Sequence, residues 1–516
     1  MNVFLYGPSG SGKSTTCKIL AQNLGLDCFD LDQAIEASSG TAIESLFTVR
    51  GEAGFREIET QVLRQFLSQE PRAVVALGGG ALLDPQNRVE VERSGQVICL
   101  TADIETLLAR LQQDELSRPL LDENPRQRLQ DMLARRQKHY ASFGAPLDTT
   151  GLSPQEIAWE AQIRLGAFRI SGMGKPYDIH IRSGSLGSLG RSLQERDLKG
   201  PLVLVSDEHV GPLHAEAAIT SLNEAGFTVS EIRIPAGEQY KTIQTIASLW
   251  EGFVHAGLER GSTIIALGGG VVGDLTGFAA AAFLRGVDWV NIPTSLLAVV
   301  DSSIGGKTGA DLPEGKNLIG AFHSPRLVLT DPHMLHTLPA RELRSGLAET
   351  LKAGVIADPL LYRLCAAGWP EQPGEIDLLV SRALAVKARV IEEDPYEKNL
   401  RQSLNLGHTV GHGVELASGY RLSHGESVAI GMVSETRLAE KIGIALPGLA
   451  DEISADLSRL GLPVKTPAQI SREAVIEAMR LDKKRSRGQI HFALPEKIGK
   501  VRVGVIVDQW EKLLEL

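Results

Sequence analysis

The sequence predicts an α/β protein with an N-terminal domain of parallel sheet flanked by helices, then a Rossmann-like α/β domain and an all-α C-terminal domain. Two observations predict the α/β parts: short apolar runs at residues 2–5 and 263–267 each lead directly into a glycine-rich turn. Buried parallel strands that end in glycine turns have this form. A third observation predicts the last part, because apolar residues recur at helical spacing in the long segments after residue 325.

Length and composition are typical of a large soluble enzyme. The chain has 516 residues, too many for one ordinary core, which suggests about three domains. Hydrophobic residues make up 43% and charged residues 22%, as in globular enzymes. The net charge of −10 argues against a nucleic-acid binder, which normally carries a basic face.

Cysteine usage and the N-terminal residues favour a cytoplasmic protein. Cys17, Cys28, Cys99 and Cys365 show no C-x-x-C spacing, so we expect small buried thiols in a reducing compartment and no disulfide framework. The first residues pass from an apolar run into a glycine loop without the basic region of a signal peptide. The most apolar later stretch, residues 277–284, is too short to cross a bilayer.

A nucleotide site is predicted by residues 7–14, GPSGSGKS, which match the P-loop pattern G-x-x-x-x-G-K-S in full. Backbone amides of such a loop cradle the phosphates of ATP, the lysine reaches the β and γ oxygens, and the hydroxyl of the last residue binds Mg²⁺. The loop identifies a nucleotide but not the molecule that receives the phosphate. The residues expected to bind the nucleotide are Gly10, Gly12, Lys13, Ser14 and Thr15.

Charged residues that could bind a phosphate acceptor follow the P-loop. Asp30 and Asp32 flank one residue at a predicted strand end, so both carboxylates should point to the same side. One could hold a magnesium-bound water, and the other could accept a proton from a polyol. Arg56 and Arg136 could each clamp a carboxylate bidentately, although a single helical arginine is more often a solvated surface residue.

The ordered set GPSGSGKS, FDLD, GEAGFREIE, VVALGGG and SRPLL resembles shikimate kinase over residues 1 to about 165. The resemblance implies that Asp32 is the base toward the shikimate hydroxyl. It also implies that Arg118, in a lid at about 112–124, closes over the phosphates and offsets developing charge. The implied shikimate-binding residues are Asp32, Arg56, Gly79, Gly80 and Arg136.

A closing helix marks the end of this first domain. Residues 153–165 begin with a capping serine followed by proline and continue with helical apolar spacing. We therefore place the P-loop domain at 1–166, and the change to helical spacing after about residue 325 divides the rest into an α/β domain at 167–325 and a helical domain at 326–516.

A second ligand site is predicted where two later strands end. Residues 201–206 form an apolar strand that delivers Asp207, and residues 268–274, GGGVVGD, connect the strand at 263–267 to a helix. Open α/β sheets bind ligands at the carboxyl ends of their strands, and a helix N-terminus favours anions. No G-x-G-x-x-G pattern is present, so the ordinary dinucleotide fingerprint is missing.

Candidate metal ligands lie in the helical domain. His408 and His412 are four residues apart and would share a helix face, and Glu349 and His424 lie in neighbouring helical segments. The sequence HTVGH lacks the glutamate of H-E-x-x-H, which disfavours a zinc protease. Two histidines and a glutamate suit zinc with an open position, but spacing alone leaves open whether His408 and His412 both bind it.

The segments GGGVVGD, PTSLLAVVDSSIGGKTG, LNLGHTVGH and HGESVAIGM together resemble 3-dehydroquinate synthase. The resemblance implies that Glu349, His408 and His424 bind zinc, with cobalt as a possible substitute, and that His412 lies near the substrate phosphate. It also implies a homodimer formed through this part of the chain. The implied NAD-site residues are Asp207, Glu238, Lys241, Gly269, Gly270, Asp274, Thr294, Ser295, Lys307 and Lys316.

The same resemblance implies a cluster of substrate contacts. Arg285 and Lys316 fit as phosphate or carboxylate partners, and Lys483 is the matching lysine near the C-terminus, with Lys484 as the neighbouring alternative. The other implied substrate contacts are Asp301, Lys307, Asn317, Lys352, Lys387, Arg401, Asn405 and His412. The residues expected to be catalytic are Lys13, Asp32, Arg118, Arg285, Asp301, Lys307 and His412.

The two resemblances imply one chain with two activities of the shikimate pathway. One is ATP-dependent phosphorylation of shikimate, and the other converts 3-deoxy-D-arabino-heptulosonate 7-phosphate to 3-dehydroquinate and phosphate, with NAD recycled. Three alternatives stay open from the sequence. The C-terminal part could be another sugar-phosphate cyclase or a polyol dehydrogenase, and the P-loop part could be a nucleotide-binding regulatory module.

Overall fold

The computed structural model describes residues 2–69, 72–113, 124–397, 399–485 and 489–516. The chain divides into two compact units, Met1–Ala167 and Phe168–Leu516. Among the described residues, none of the helices combines the length and apolar character needed to cross a membrane.

The first unit is a five-stranded sheet with the order β2-β3-β1-β4-β5, and its recorded strand pairs are all parallel. Its strands are β1 (Asn2–Tyr6), β2 (Asp27–Asp30), β3 (Ala73–Ala76), β4 (Gly95–Thr101) and β5 (Leu147–Asp148). Its helices are α1 (Lys13–Leu24), α2 (Leu31–Ser39), α3 (Ile43–Leu67), α4 (Pro85–Ser94), α5 (Ile104–Gln113), α6 (Pro125–Ala141) and α7 (Pro154–Leu165).

The central strand β1 explains why this sheet is covered on both faces. All five of its residues are buried. Because side chains alternate along a strand, Phe4 and Tyr6 pack into one hydrophobic cluster, while Val3 and Leu5 pack into another. The apolar run at residues 2–5 is therefore the buried parallel strand that the sequence predicts, and its carboxyl end delivers the P-loop to α1.

The second unit contains a seven-stranded sheet with the order β6-β7-β14-β11-β10-β8-β9, and two separate hairpins, β12–β13 and β15–β16. The strands of the large sheet are β6 (Ala167–Ile170), β7 (Tyr177–Ile181), β8 (Lys199–Asp207), β9 (Val229–Ile234), β10 (Ser262–Gly268), β11 (Asp288–Pro293) and β14 (Leu327–Thr330). The hairpin strands are β12 (Lys307–Leu312), β13 (Gly315–Phe322), β15 (Phe492–Lys497) and β16 (Lys500–Val505).

The Rossmann-like arrangement of this sheet places a crevice beside β8 and β10. The two strands are parallel neighbours, but the chain leaves β8 toward β9 on one side and returns as β10 on the other. Strand order reverses at this point, where doubly wound sheets bind ligands. The helices that accompany these strands are α8 (Leu189–Gln194), α9 (Glu216–Glu224), α10 (Ile243–His255) and α11 (Gly270–Ala282).

The region after residue 330 is predominantly helical, as the sequence predicts, with two additions. Strand β14 belongs to the large sheet although it follows residue 325, and the hairpin β15–β16 follows the last long helix. The helices are α12 (Ala340–Ala357), α13 (Pro359–Ala366), α14 (Pro373–Glu393), α15 (His408–Ala417), α16 (His424–Lys441), α17 (Leu449–Arg459), α18 (Arg472–Arg485) and α19 (Trp510–Leu513).

The cysteines differ from expectation in one respect. Cys17 on α1 and Cys28 on β2 form a disulfide, with their Cα atoms 5.9 Å apart, because the helix packs beside the strand. Cys99 and Cys365 are buried free thiols, as expected. Spacing along the chain gave no sign of the pair, since only the packing of α1 on the sheet brings the two residues together.

Candidate active sites

The P-loop of the first unit has the geometry of an anion-binding turn. Gly12 adopts a left-handed conformation, with a φ of 91°, directly before the first residue of α1. A Cβ at Gly10, whose φ is also positive, would lie 2.9 Å from the carbonyl oxygen of Leu107. Both positions therefore require glycine. The orphan N–H groups at the start of α1 face the loop, which is the arrangement that binds phosphate.

The polar residues of the P-loop lie at this helix N-terminus. Lys13 Nζ donates to the carbonyl oxygens of Gly7 and Pro8, both at 2.9 Å. Ser14 and Thr15 are exposed in the first turn of α1, so their hydroxyls are accessible to a nucleotide and its cation. Arg118 lies outside the described residues.

A second cluster lies beside the glycine turn after β3. Arg56 Nη1 and Glu59 Oε2, both on α3, form an ion pair of 2.6 Å, and Glu59 is 1% exposed. A Cβ at Gly80 would lie 2.3 Å from Arg56 Nη2, and a Cβ at Gly78 would lie 3.3 Å from Asp32 Oδ1. The absence of side chains at these glycines therefore lets Asp32, Arg56 and Glu59 converge on one turn.

Arg136 joins the same cluster through the backbone of Gly79. The carbonyl oxygen of Gly79 accepts hydrogen bonds from Arg136 Nη1 at 2.9 Å, from the Tyr140 hydroxyl at 3.1 Å and from the Tyr6 hydroxyl at 3.3 Å. One carbonyl thus orients an arginine at the edge of the cluster. Two arginines beside the carboxylates of Asp32 and Glu59 suit a substrate that carries both a carboxylate and hydroxyl groups.

Asp30 does not share the role suggested by the sequence. Strand β2 ends at Asp30, and Asp32 already lies in the first turn of α2, so strand alternation does not apply to the pair. Asp30 instead caps α2, with Oδ1 accepting from the N–H groups of Asp32 at 3.1 Å and Gln33 at 3.3 Å. The cap fixes the start of the helix and thereby the position of the Asp32 carboxylate.

Glu59 is a residue of this site that the sequence reasoning missed. Burial raises its pKa, while the adjacent Arg56 guanidinium opposes that shift. Among the described residues, its Oε1 has no hydrogen-bond partner although it is buried. The spacing Arg56-x-x-Glu59 in a helix could have suggested an ion pair. Nothing in the sequence showed that this pair would be buried.

The second unit brings the three predicted metal ligands together. Glu349 on α12, His408 at the start of α15 and His424 at the start of α16 each offer one donor atom, and these atoms lie within 4.8 Å of one another. Glu349 Oε1 is 3.5 Å from His408 Nε2 and 3.4 Å from His424 Nε2. This oxygen is buried without a hydrogen-bond partner among the described residues. One carboxylate and two imidazoles around a buried, unsatisfied oxygen fit zinc.

The other nitrogen of each imidazole faces an acceptor. His408 Nδ1 is 3.2 Å from the carbonyl oxygen of Leu406, and His424 Nδ1 is 3.4 Å from Glu415 Oε2. Such contacts orient each ring, and both Nε2 atoms face Glu349 Oε1. Burial and the nearby Lys352 lower the pKa of His408 well below its usual range. Burial opposes the charge on His424 as well, but Glu349 and Glu415 raise its pKa to about 9.

His412 lies one turn after His408 and is not part of the donor cluster among the described residues. Its ring centroid is 5.1 Å from that of His408 and 6.0 Å from that of His424. The shared helix face expected from the sequence therefore exists. The third donor atom of the cluster, after those of Glu349 and His408, belongs to His424 on α16.

Buried lysines surround the metal cluster. Lys352 is 3% exposed; its Nζ lies 2.5 Å from Glu349 Oε2 and donates to the Leu404 carbonyl oxygen at 2.8 Å. Lys387 Nζ contacts Asp301 Oδ1 at 2.5 Å. Burial opposes ionisation of Asp301, but Lys387 holds the pKa of this carboxyl below its usual value. Each of these two lysines is thus paired with one carboxylate at or beside the candidate metal ligands.

Several predicted NAD-site residues lie around the N-terminus of α11. Gly269 precedes the helix, and a Cβ there would lie 3.5 Å from Ser295 Oγ, so its absence leaves a shallow cradle beside the backbone. The N–H of Thr294 donates to the Gly268 carbonyl oxygen at 3.0 Å, which joins the ends of β10 and β11. Asp207 ends β8, and its Oδ1 accepts from the backbone N–H groups of the turn that follows.

A chain of charged residues continues from this cradle toward the metal cluster. Lys241 Nζ lies 2.6 Å from Asp274 Oδ2 and 2.6 Å from Asn317 Oδ1. Lys316 Nζ lies 2.9 Å from Glu415 Oε1 and 3.7 Å from Glu238 Oε1. Because Glu415 also contacts His424, the hairpin β12–β13 is linked to the metal site through Lys316.

The remaining predicted residues occupy two settings. Lys307 Nζ pairs with Glu397 Oε2 at 2.8 Å, and Asn405 Nδ2 donates to Glu397 Oε1 at 3.5 Å. A Cβ at Gly305 would lie 2.8 Å from Nη2 of the buried Arg401. Glu397 and Glu415 are carboxylates that the sequence reasoning missed, because each is recognisable only by its distant lysine partner.

Two predicted substrate contacts are not placed with this group. Arg285 is exposed in a turn after α11, where it and Leu284 both have positive φ values, 69° and 49°. Helix α18 extends to Arg485, but the side chains of Lys483 and Lys484 lie outside the described part of the structure.

The two folds and sites define a chain in which a P-loop phosphotransferase unit precedes a Rossmann-type unit with a candidate metal site. A family model for shikimate kinase matches residues 9–165. Models for the N-terminal and C-terminal parts of 3-dehydroquinate synthase match residues 231–345 and 346–485. The chain belongs to the 3-dehydroquinate synthase family and carries a shikimate kinase domain before the synthase.

Sequence alignments with two curated relatives cover nearly the whole length of those relatives. The 3-dehydroquinate synthases of Synechococcus sp. and Nostoc punctiforme are each 46% identical to this chain, over 336 and 334 residues. Both alignments cover 63% of this chain, and they cover 91% and 92% of the relatives, respectively. The two resemblances inferred from the motifs are thus confirmed, and the chain is a bifunctional kinase and lyase of the shikimate pathway.

Two solved structures similar to the second unit are synthases with NAD⁺ and a metal ion bound. The 2-epi-5-epi-valiolone synthase of Streptomyces hygroscopicus, with NAD⁺ and Zn²⁺ bound, is 28% identical, with a TM-score of 0.60, over 67% of this chain and 97% of that chain. A 2-deoxy-scyllo-inosose synthase complexed with carbaglucose-6-phosphate, NAD⁺ and Co²⁺ is 25% identical, with a TM-score of 0.60, over 67% of this chain and 98% of that chain.

Proposed function

We propose that residues 1–166 form the kinase domain, in which Asp32 accepts the proton of the shikimate hydroxyl while the P-loop holds ATP. Arg56 and Arg136 bind the shikimate carboxylate, and Arg56 is kept in place by Glu59. Lys13 neutralises the phosphates, and Ser14 is the ligand for Mg²⁺. Arg118 is assigned to phosphate binding by sequence alone. The convergence of Asp32, Arg56 and Arg136 on one glycine turn supports this assignment.

We propose further that residues 167–325 bind NAD and that residues 326–516 hold zinc, or cobalt, at Glu349, His408 and His424. When bound, zinc lowers the pKa of a coordinated hydroxyl, and NAD⁺ accepts and then returns a hydride. The buried, unsatisfied oxygen of Glu349 between two imidazoles is the observation that carries this proposal. We also propose that the chain forms a homodimer, as the family resemblance implies. The proposed substrate of the synthase is the heptulosonate 7-phosphate.

The synthase residues have separable tasks in this proposal. Lys352, Lys387, Arg401 and Asn405 bind the acidic substrate, and the Asp301 carboxylate orients Lys387 and a substrate hydroxyl. Lys307, Lys316 and Asn317 on the hairpin hold the substrate carboxylate against the cofactor. His412, one turn from the metal ligand His408, holds or moves the proton that accompanies phosphate departure.

The deciding experiment supplies the purified chain with the heptulosonate phosphate, zinc and a small amount of NAD⁺. We expect 3-dehydroquinate and phosphate in molar excess over NAD⁺, identified by mass and NMR, and complete inhibition by a chelator. The same preparation should phosphorylate shikimate with ATP and Mg²⁺. NAD⁺ consumption that matches product would contradict the recycling of the cofactor. Binding of ATP without shikimate phosphorylation would leave the P-loop unit a regulatory module.

A further inference from the structure

Glu435 is a fully buried carboxylate on α16, outside the set of candidate metal ligands. Its side chain is 0% exposed. Oε2 accepts from the N–H of Gly407 at 2.6 Å, and Oε1 accepts from the N–H of Val410 at 3.0 Å. In the described part of the chain, the partners of Glu435 are thus backbone amides of another helix. Burial of a carboxylate lowers the free energy of unfolding unless hydrogen bonds satisfy its oxygens. The two backbone N–H groups provide such hydrogen bonds for Glu435.

The two amides belong to the start of the helix that carries a metal ligand. Helix α15 begins at His408, and the preceding residue, Gly407, has a left-handed φ of 77° and provides no side-chain cap. The first N–H groups of a helix have no partner within the helix, and their partial positive charge favours an anion. Glu435 therefore caps α15 from a neighbouring helix.

Backbone packing reinforces this connection between α15 and α16. A Cβ at Gly431 would lie 1.9 Å from the carbonyl oxygen of Gly407, and a Cβ at Gly411 would lie 3.0 Å from that of Ser427. The two helices therefore approach each other closely, with no side chains between them at these points. Helix α16 begins with the ligand His424 and carries Glu435 about three turns further along. Helix α16 thus supplies the candidate ligand His424, and its Glu435 contacts the first turn of α15, the helix that supplies the candidate ligand His408.

We propose that Glu435 is a positioning residue for the metal centre, which sets the position of His408 by anchoring the first turn of α15. His408 is the first residue of that helix, so a shift of the helix start moves its imidazole directly. The inference rests on the proposed zinc site, and it adds to that site a residue that touches neither metal nor substrate.

The test compares Glu435→Gln and Glu435→Asp with a matched control in the full-length protein. The glutamine keeps the size but places an amide N–H₂ against one backbone N–H, and the aspartate keeps the carboxyl group but is too short by one methylene. Ser434→Ala is the control: this residue is also buried on α16, but its hydroxyl donates to the Glu515 carbonyl oxygen at 2.5 Å, away from α15. Zinc affinity is measured by competition with a chromophoric chelator, and shikimate kinase activity reports the concentration of intact chain.

We expect Glu435→Gln to weaken zinc binding by about 10–100-fold, the range for residues that orient metal ligands. Glu435→Asp should lose less, and Ser434→Ala should match the wild type. The synthase activity of the glutamine variant should recover as the zinc concentration is raised. The variant should need more zinc than the wild type for half-maximal activity, and the fold-change in this concentration should exceed the fold-change in kcat. If Glu435→Gln does not fold, the aspartate variant still decides the question.

Three results separate failure of the inference from failure of the proposed site. Wild-type zinc affinity retained within about 2-fold in both Glu435 variants overturns the positioning role while the zinc site stands. Equal losses in the Ser434→Ala control also overturn it. A wild-type chain that binds no zinc, or binds it equally well after Glu349→Gln, overturns the site and the inference together.

Discussion

The substitution Gly80→Ala should damage the kinase without unfolding it. The backbone of Gly80, with φ −121° and ψ −2°, is accessible to alanine, so only the new methyl group matters. Its Cβ would lie 2.3 Å from Arg56 Nη2, and an ordinary contact of about 3.4 Å or more requires the guanidinium to move by roughly 1 Å. If the guanidinium moves by that distance away from Glu59, the 2.6 Å hydrogen bond between Arg56 Nη1 and Glu59 Oε2 is broken.

The size of the effect follows from the role of Arg56. A hydrogen bond to a charged group contributes about 1.5–3 kcal/mol, which corresponds to a rise of roughly 10–150-fold in KM for shikimate. The end of a long side chain can move at small cost, so the midpoint of thermal unfolding should change little. Steady-state kinase kinetics at saturating ATP measure the effect, and synthase activity of the same sample gives the concentration of intact protein.

Gly187→Ala is the matched control, because a Cβ there meets no atom within 4 Å and its φ lies outside the left-handed region. It should leave both activities unchanged. The reasoning would be refuted if Gly80→Ala retained the wild-type KM for shikimate, because Arg56 would then not need the space that the glycine provides. An equal loss of synthase activity would point to general misfolding instead.

Three further predictions concern separate parts of the molecule. Asp32→Asn should lower kinase kcat by about 10²–10⁴-fold, as expected for loss of a general base, with ATP affinity and synthase activity retained; an unchanged kcat would exclude Asp32 as the base. Glu349→Gln should weaken zinc binding by at least about 100-fold, measured by chelator competition, and leave kinase activity intact. Burial and then the charge of Arg196 lower the pKa of His180 to about 4. The imidazole of the unfolded chain has a pKa of ~6.5. Between pH 4 and 6.5 the unfolded state therefore binds more protons than the folded state, so the free energy of unfolding falls by up to about 3 kcal/mol as the pH drops from 6.5 to 4. His180→Gln should reduce that slope in acid unfolding curves, and an unaltered slope would contradict the shift.

Local motifs were sufficient to predict much of the fold and part of each site. The P-loop could be predicted because Gly10 and Gly12 have positive φ values that glycine adopts readily and other residues rarely do. The strand β1 could be predicted because apolar residues on both faces of a strand require burial on both sides. Conversely, strand alternation was misapplied to Asp30 and Asp32, because the start of α2 falls between them.

Carboxylates paired over long distances could not be predicted in this way. Glu397 meets Lys307 from 90 positions away along the chain, and Glu435 meets Gly407 from 28 positions away. A single glutamate in an amphipathic helix has the same sequence signature whether it is solvated or buried. Its environment depends on which helices pack against it, and no spacing rule reports that.

The sequence by itself determined the two enzyme families, the parallel sheets, the phosphate loop and the identity of the metal-ligand candidates. Those features depend on short segments in which residue type and spacing fix a local conformation. Only the tertiary structure brought Glu349, His408 and His424 around one buried oxygen and placed His412 outside that set. The reason is physical: a metal site is defined by distances of a few ångströms between side chains on three helices, and packing alone sets those distances.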